Sequence, residues 1–173
     1  MFASASSSRV KYDVFISFRG SDIRFGFLSH LTTSLRGKQI DVYVDDRLER
    51  GDEISLALKE AIEGSMIALV IFSKDYASSK WCLQELVKIM ECKEASGQIV
   101  LPVFYCVDPS DVRRQKRTYA DAFTHLEQKF MDNSNELKNW RSVLKKTADL
   151  SGYHSSNFQE LIKLKASYWI GIE

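Results

Sequence analysis

Short apolar runs alternate along this chain with segments in which apolar residues recur every three or four positions. Four of the runs are rich in β-branched and aromatic residues, which is typical of buried strands. These runs span residues 12–18, 40–44, 66–72 and 99–107. The third run, MIALVIF, has no polar residue and therefore belongs at the centre of a sheet. A short fifth strand is expected near Tyr153.

Helical periodicity fills the intervals between these strands. The predicted helices cover residues 25–35, 54–62, 80–95, 118–130 and 136–150, with a final one around 158–165. Strands that alternate with helices form right-handed βα units and a mostly parallel sheet. The sequence therefore predicts an α/β fold, a flavodoxin-like doubly wound five-stranded parallel sheet in order 2-1-3-4-5 with helices on both faces. Pro102 cannot donate to a ladder, so the fourth strand should have one open side there.

Size, composition and charge narrow the class of protein. The chain has 173 residues, which suits one domain, and residues 1–10 read as a disordered leader. Apolar residues make up 45% of the chain, enough for a buried core. Lys and Arg number 24 against 23 Asp and Glu, so a net charge of +1 gives no bulk attraction to nucleic acid, which is not expected as a partner.

The sequence supports neither a membrane-spanning helix nor a site built from cysteines. The apolar runs are far shorter than the ~20 residues that a membrane-spanning helix needs, so no membrane partner is expected. The cysteines are Cys82, Cys92 and Cys106, and none lies in a CxxC pair. We therefore expect neither a disulfide scaffold nor a zinc site, and no metal is assigned.

The topology alone indicates where a ligand would bind. Open parallel sheets bind ligands beyond the carboxyl ends of their strands, where the strand order reverses. In order 2-1-3-4-5 that point lies between the first and third strands. The segments that converge there are residues 19–24 and 73–80, and residues 45–53 flank them.

The helix predicted over residues 80–95 carries a carboxylate near this crevice. A stripe that includes Leu83 and Leu86 should face the sheet. Trp81, Glu85 and Ile89 form a second stripe, which we expect on roughly the opposite side. Glu85 therefore has two interpretations: a functional carboxylate beside apolar surface, or an ordinary solvated surface charge.

The first loop offers cations but no nucleotide fingerprint. Arg19 and Arg24 can hold a phosphate between them, or they can pair with Asp22 on the surface. Gly20 permits close approach of the backbone, yet neither GxGxxG nor GxxxxGK[ST] is present.

A receiver-like phosphoacceptor is a separate possibility, because Asp108 and Asp111 follow the fourth strand. A phosphoacceptor site would need a second acidic cluster at the end of the first strand. That strand ends in Arg-Gly instead, so the chemistry of a turn explains the two aspartates better.

Four ordered motifs together resemble the Toll/interleukin-1 receptor (TIR) domains of plant intracellular immune receptors and of TIR-only immune proteins. The motifs are YDVFISFRGSD, VDDRLERGDEI, SKWCLQEL and LPVFYCVDPSDVRRQ, at residues 12–22, 44–54, 79–86 and 101–115. The resemblance covers residues 11–155 and leaves residues 156–173 as a C-terminal extension. Arg117 stands where the family commonly has glycine.

The resemblance implies an enzyme, because many plant members cleave NAD(P)⁺ between nicotinamide and ribose. It implies an NAD⁺ glycohydrolase, with ADP-ribosyl cyclase activity in some members, for which NAD⁺ or NADP⁺ is substrate and no prosthetic group is needed. Glu85 falls on the catalytic position of the family. The implied nucleotide-binding residues are Phe18, Arg19, Gly20, Ser21, Asp22, Ile23, Arg24, Gly51 and Trp81.

The resemblance also implies self-association. Ser29 and His30 match one family interface, Gly152 and Tyr153 match part of a second, and the loop that contains Gly51 completes the site of a neighbouring protomer. The implied partners are further copies of this chain and other TIR-containing immune receptors, in the cytoplasm or nucleus, with cell death as the output. The alternative is a non-catalytic adaptor that signals by TIR–TIR contacts alone.

Overall fold

A five-stranded parallel sheet in the order β2-β1-β3-β4-β5 forms the framework of the molecule. This computed structural model describes residues 11–45, 54–130 and 133–157, apart from the side chains of residues 21, 22 and 157. The strands are β1 (Tyr12–Ser17), β2 (Val42–Val44), β3 (Ser65–Phe72), β4 (Ile99–Phe104) and β5 (Tyr153–His154). The predicted flavodoxin-like fold and strand order are therefore confirmed.

Strand β3 occupies the centre of the sheet, as its unbroken apolar sequence predicts. It pairs with β1 on one side, where Phe15 lies opposite Ala68, and with β4 on the other, where Leu101 lies opposite Leu69. Every residue of β3 except Met66 is buried. A strand covered on both faces needs no polar positions, which explains the continuous apolar run.

The five longer described helices follow the predicted positions to within a few residues. They are α1 (Gly20–Ile23), α2 (Phe27–Gly37), α3 (Leu56–Glu63), α4 (Lys80–Ser96), α5 (Pro109–Arg113), α6 (Thr118–Lys129) and α7 (Ser134–Ala148), with short 3₁₀ helices at Tyr76–Ser78 and Ser155–Asn157. The sequence predicted non-helical segments, a loop or turn, where the structure has α1 and α5, and both predictions were wrong. Helices of one turn are too short to show a 3.6-residue period.

The sheet separates two hydrophobic cores, since alternate strand residues point to opposite faces. On one face, Phe15, Ala68 and Val70 belong to a larger core that also takes side chains from α3, α4, α6 and α7. On the other face, Val14 and Leu69 belong to a smaller core with the apolar side of α2. Helices therefore cover both faces, as predicted.

Helix α4 buries a wider face than its sequence predicts. Glu85 and Ile89 are buried together with the residues of the expected sheet-facing stripe. The expectation that this pair lies on the far side of the helix is therefore wrong. Helix α4 packs against the sheet, α3 and α7 at once, so it is enclosed over most of its circumference. A wheel with one apolar stripe cannot represent a helix that is packed on several sides.

Strand β4 is shorter than predicted and has the expected open side. It ends at Phe104 rather than at residue 107, and Cys106 then adopts a φ of 54°, which takes the chain out of the sheet. Pro102 lies opposite Val70 of β3, whereas pairing with β5 begins only at Val103. The proline therefore sits where no β5 residue is paired with it.

Three predictions fall outside the described residues: the leader at 1–10, most of the loop at 45–53, and the last helix around 158–165. Within the described part of the chain, no helix combines the length and the apolar character that a membrane crossing requires.

Candidate active site

A buried carboxylate lies at the carboxyl edge of β1, beside the start of α4. The Glu85 side chain is only 5% exposed. Its Oε2 accepts a hydrogen bond of 2.7 Å from the hydroxyl of Ser17, the last residue of β1, although the two residues are 68 positions apart in sequence. Because burial of an unpartnered carboxylate is very costly, this donor helps explain why Glu85 can be enclosed here.

The start of α4 fixes the position of Glu85. Ser79 caps the helix, and its Oγ accepts a hydrogen bond of 3.2 Å from the backbone N–H of Cys82. The 3₁₀ helix Tyr76–Ser78 delivers the chain to this cap. The segment between β3 and α4 therefore leads into a capped helix start, and Glu85, in the second turn of α4, reaches Ser17.

Tyr76 is a second buried hydroxyl in this cluster. Its hydroxyl oxygen lies 2.8 Å from Ser17 Oγ and 3.2 Å from the carbonyl oxygen of Cys82. Desolvation by burial, with smaller contributions from Cys82 and Glu85, raises the pKa of Tyr76 well above its usual value of 10.0. Tyr76 therefore keeps its proton at neutral pH.

The first loop is held against α4 by its backbone and against the sheet by its side chains. The carbonyl oxygen of Phe18 accepts a hydrogen bond of 3.4 Å from Cys82 Sγ. Phe18 and Ile23 are both buried in the smaller core, so these two side chains anchor the loop. The Arg24 guanidinium lies 5.8 Å from the centre of the Phe18 ring. A β-carbon on Gly20 would lie 3.0 Å from Arg24 Nη2.

Trp81 and Gln84 connect α4 to neighbouring parts of the site. Trp81 is half-buried against the larger core, one helical turn before Glu85. Gln84 Oε1 accepts a hydrogen bond of 3.1 Å from the backbone N–H of Ile54. This bond ties Ile54, the residue that follows the second loop in sequence, to α4.

The predicted site residues divide into those that the structure places near the carboxylate and those that lie elsewhere. Phe18 and Trp81 share its neighbourhood, through Cys82 and through α4 respectively. Arg19 is half-buried at the end of β1. The side chains of Ser21 and Asp22, and all of Gly51, lie outside the described residues.

The predicted self-association residues occupy two separate elements. Ser29 and His30 are exposed in the first turn of α2. Gly152 is exposed just before β5, whereas Tyr153 is half-buried and packs against the smaller core. Ser29 and His30 are therefore available to a partner.

Three residues of this cluster were missed from the sequence: Ser17, Tyr76 and Gln84. Ser17 and Gln84 lie inside the first and third motifs, so the motif match contained a signal for them. Tyr76 lies in a segment that reads as an ordinary polar loop, and no pattern distinguished it. Its role becomes visible only through a contact with a residue 59 positions away.

Potential metal ligands do not cluster in the described part of the chain. Among these residues, no group of three or more His, Cys, Asp or Glu side chains is arranged to hold a metal ion. The three cysteines all lie in the described part and form no disulfide; Cys82 and Cys92 are buried and Cys106 is exposed.

Comparison with known proteins identifies the family. A family model described as the TIR domain matches residues 11–165, which is most of the chain. The chain belongs to the TIR domain family. The TIR fold agrees with the observed strand order, and the four motifs of the sequence all fall inside the matched region.

The relatives of this TIR domain include disease-resistance proteins of plants. TMV resistance protein N of Nicotiana glutinosa is 52% identical over 153 residues, which cover 88% of this chain and 13% of the relative. Probable disease resistance protein RPP1 of Arabidopsis thaliana is 44% identical over 157 residues, covering 91% and 13%. The chain thus spans 13% of the length of each of these two relatives.

A solved structure shows the same architecture. The TIR domains in the structure of the activated Roq1 resistosome superpose with a TM-score of 0.82 at 46% identity, over 88% of this chain and 98% of that chain. The chain is therefore a TIR domain of the type found in plant immune receptors, a type consistent with immune signalling.

Proposed function

We propose that this TIR domain is an NAD(P)⁺ nucleosidase of plant innate immunity, which cleaves the bond between nicotinamide and ribose on self-association and thereby triggers cell-death signalling. The observation that carries the proposal is the buried Glu85 carboxylate, which is hydrogen-bonded to Ser17 at the strand edge where parallel sheets bind ligands.

The chemistry needs only one carboxylate. When the C1′–N bond breaks, its electron pair goes to nicotinamide, which leaves as a neutral molecule and needs no proton. The ribose develops the positive charge of an oxocarbenium ion, as in glycoside cleavage. Water then adds to C1′ and releases a proton, so the products are nicotinamide, ADP-ribose and H⁺. An ionised Glu85 stabilises the cation electrostatically, and it does so most effectively where water is excluded.

Other residues of the site are assigned to substrate binding. Arg19 and Arg24 would neutralise the pyrophosphate, and Trp81 would contact the nucleotide through its half-exposed ring. The loop that contains Gly51 would complete the site of a neighbouring copy, and Ile54, which follows that loop in sequence, is hydrogen-bonded to Gln84 of α4.

The exposure of Ser29 and His30 supports TIR–TIR contacts with further copies and with other TIR-containing receptors. The TIR domains of the Roq1 resistosome, which resemble this chain, belong to such an assembly. The cysteines form no disulfide, which is typical of a reducing compartment and supports a location in the cytoplasm or nucleus.

The decisive experiment measures nicotinamide release by the purified protein with NAD⁺ and with NADP⁺. Glu85→Gln and Glu85→Ala should reduce the rate to background while circular dichroism stays unchanged. Glu91→Gln is the matched control, because Glu91 is an exposed glutamate on the same helix and should retain full activity. Equal rates for the wild type and Glu85→Ala would reject the enzymatic role.

The same variants test the non-catalytic adaptor, which the exposed Ser29 and His30 also support. If the protein is an adaptor, cell death in leaf tissue survives Glu85→Ala and is lost with His30→Ala. If it is an enzyme, both variants abolish cell death, but only Glu85→Ala abolishes turnover at a protein concentration high enough to restore association.

A further inference from the structure

Two buried hydroxyl groups lie behind the carboxylate, and neither is needed for packing. Ser17 is fully buried at the end of a strand whose preceding three residues are apolar. The Tyr76 ring packs edge-to-face on Phe72, with ring centres 5.1 Å apart, and a phenylalanine would make the same contact. Buried hydroxyls that contribute little to packing are costly unless they are hydrogen-bonded, so these bonds require an explanation.

The number of protons in the cluster fixes the direction of its hydrogen bonds. Ser17 has one hydroxyl proton, and it donates that proton to Glu85 Oε2 at 2.7 Å. Because that proton is used, Tyr76 acts as the donor in the 2.8 Å contact between Ser17 and Tyr76. Tyr76 shares its one proton with the Cys82 carbonyl oxygen, a second and more distant acceptor at 3.2 Å. With Glu85 ionised, the bonds run in one direction from Tyr76 through Ser17 to the carboxylate.

From this arrangement we infer that Ser17 and Tyr76 are positioning residues, which hold Glu85 in the orientation that faces the ribose of the substrate. The inference rests on the proposed nucleosidase function. Each donor in a chain polarises the next, so the bond from Ser17 to the carboxylate is strengthened by the bond from Tyr76. Tyr76 acts on the reaction only through Ser17 and has no direct contact with the substrate.

The hydrogen bond from Ser17 explains how a buried carboxylate is held in one orientation beside the substrate. Oε2 is held by Ser17 from the side of β1, which restrains the orientation of the carboxyl group. A carboxylate that is already oriented needs no reorganisation as the cation forms, so no reorganisation free energy adds to the barrier. Without Tyr76, Ser17 can rotate its hydroxyl to other acceptors, and the carboxylate loses part of its preorganisation.

Turnover measurements on four variants test the inference. Ser17→Ala should lower kcat about 10- to 100-fold, since it removes a hydrogen bond to a charged group. Tyr76→Phe should lower kcat by about three- to tenfold, and KM for NAD⁺ should stay within about twofold in both. Tyr119→Phe is the matched control. Tyr119 is equally buried, and its hydroxyl donates at 2.7 Å to the Ser73 carbonyl instead.

The fourth variant, Ser17→Ala with Tyr76→Phe, separates positioning from simple loss of stability. If Tyr76 acts through Ser17, Tyr76→Phe should have no further effect on kcat once Ser17 is alanine. Rates are normalised to the folded fraction from circular dichroism, so that a partly unfolded sample does not imitate a catalytic defect. The inference is overturned if Tyr76→Phe lowers kcat by the same factor in both backgrounds, or if it has no effect in the wild-type background.

Proton NMR of the buried tyrosine hydroxyls tests the chain without any turnover. The two signals are assigned by their loss in Tyr76→Phe and Tyr119→Phe. In Glu85→Gln and in Ser17→Ala, the Tyr76 signal should move upfield because the chain loses its charged end, while the Tyr119 signal stays in place. A Tyr76 signal that is unchanged in both variants would overturn the inference. If the wild type releases no nicotinamide, the proposed function fails. The NMR result then still decides whether the hydrogen bonds from Tyr76 through Ser17 to Glu85 are present.

Discussion

Gly152 lies so close to Pro102 that a β-carbon on the glycine would stand 2.8 Å from the proline carbonyl oxygen. The same β-carbon would lie 2.9 Å from the ring of Phe104. Backbone and a buried ring cannot give way cheaply, so this glycine is required for β5 to approach β4. Gly152 was predicted as a self-association residue, and its close packing adds a structural role inside the protomer.

Gly152→Ala should therefore destabilise the monomer. Overpacking of this kind costs about 1–3 kcal/mol, and Tm should fall by about 2–4 °C for each kcal/mol. Gly37→Ala is the control, because a β-carbon there meets nothing within 4 Å, and it should leave Tm unchanged or raise it slightly. Thermal unfolding in dilute solution checks both. A Tm for Gly152→Ala equal to that of the wild type would show that β5 can move at no cost, and association defects in this variant would then belong to the interface.

Arg117→Gly should stabilise the protein. Arg117 has φ 55° and ψ −123°, a region that favours glycine, and the sequence resemblance places glycine at this position in the family. The ion pair between the largely exposed Arg117 side chain and Asp111, at 3.3 Å, offsets little of this cost. The free energy of unfolding should rise by about 1 kcal/mol in urea denaturation. Arg117→Ala removes the ion pair and keeps the strained backbone, so it should be no more stable than the wild type.

Asp108→Asn should change how the free energy of unfolding depends on pH in the acid range. The Asp108 carboxylate caps α5 by accepting a hydrogen bond of 2.8 Å from the backbone N–H of Ser110, and this bond holds the pKa of Asp108 below its usual value of 3.8. The folded pKa is lowered, so the stabilisation by the charge is present above pH 3.8 and is lost as the pH falls through the folded value.

The stability difference between wild type and Asp108→Asn should accordingly shrink on acidification below pH 3.8, because asparagine keeps the cap without the charge. Asp108→Ala loses the cap itself and should remain less stable than asparagine at every pH. Urea titrations at several pH values provide the measurement. A wild-type-to-Asn difference that is constant across this range would contradict the assignment of the stabilisation to the ionised cap.

Activity per mole of protein should rise with protein concentration. The proposed site needs a loop from a neighbouring copy, so the active species is an assembly whose population follows mass action. His30→Ala, which alters an exposed residue of α2, should shift this rise to higher concentration and leave the monomer's Tm unchanged. Nicotinamide release over a wide concentration series makes the comparison. A constant specific activity in the wild type would mean that each protomer works alone.

The sequence predicted the fold well because the decisive signals are long and local. The apolar run of β3 and the period of α4 each extend over enough residues to show their pattern, and order 2-1-3-4-5 follows from the alternation of strands and helices. The helices α1 and α5 were not predicted, because four or five residues are too few to show helical periodicity.

The sequence singled out Glu85 as the candidate carboxylate, but it did not predict that Glu85 is buried or which residues contact it. Topology directed attention to the first turns of α4, and the motif resemblance selected Glu85. The helical wheel predicted that Glu85 faces away from the sheet, which is wrong, because a wheel assumes that only one face of the helix is buried. Ser17 and Tyr76 complete the cluster through contacts that span 68 and 59 positions of sequence. A single polar residue has no local sequence pattern that would predict a contact with a residue so far away in sequence.

The two edges of the sheet are β2, with three residues, and β5, with two. Such brief edges offer few unpaired backbone groups for a further chain to extend. Copies of this domain can therefore lie close together in an assembly, with little tendency for the edge strand of one protomer to pair with that of the next. Contacts made by helices and loops remain reversible, whereas strand-to-strand growth leads toward fibres, and this architecture favours the first outcome over the second.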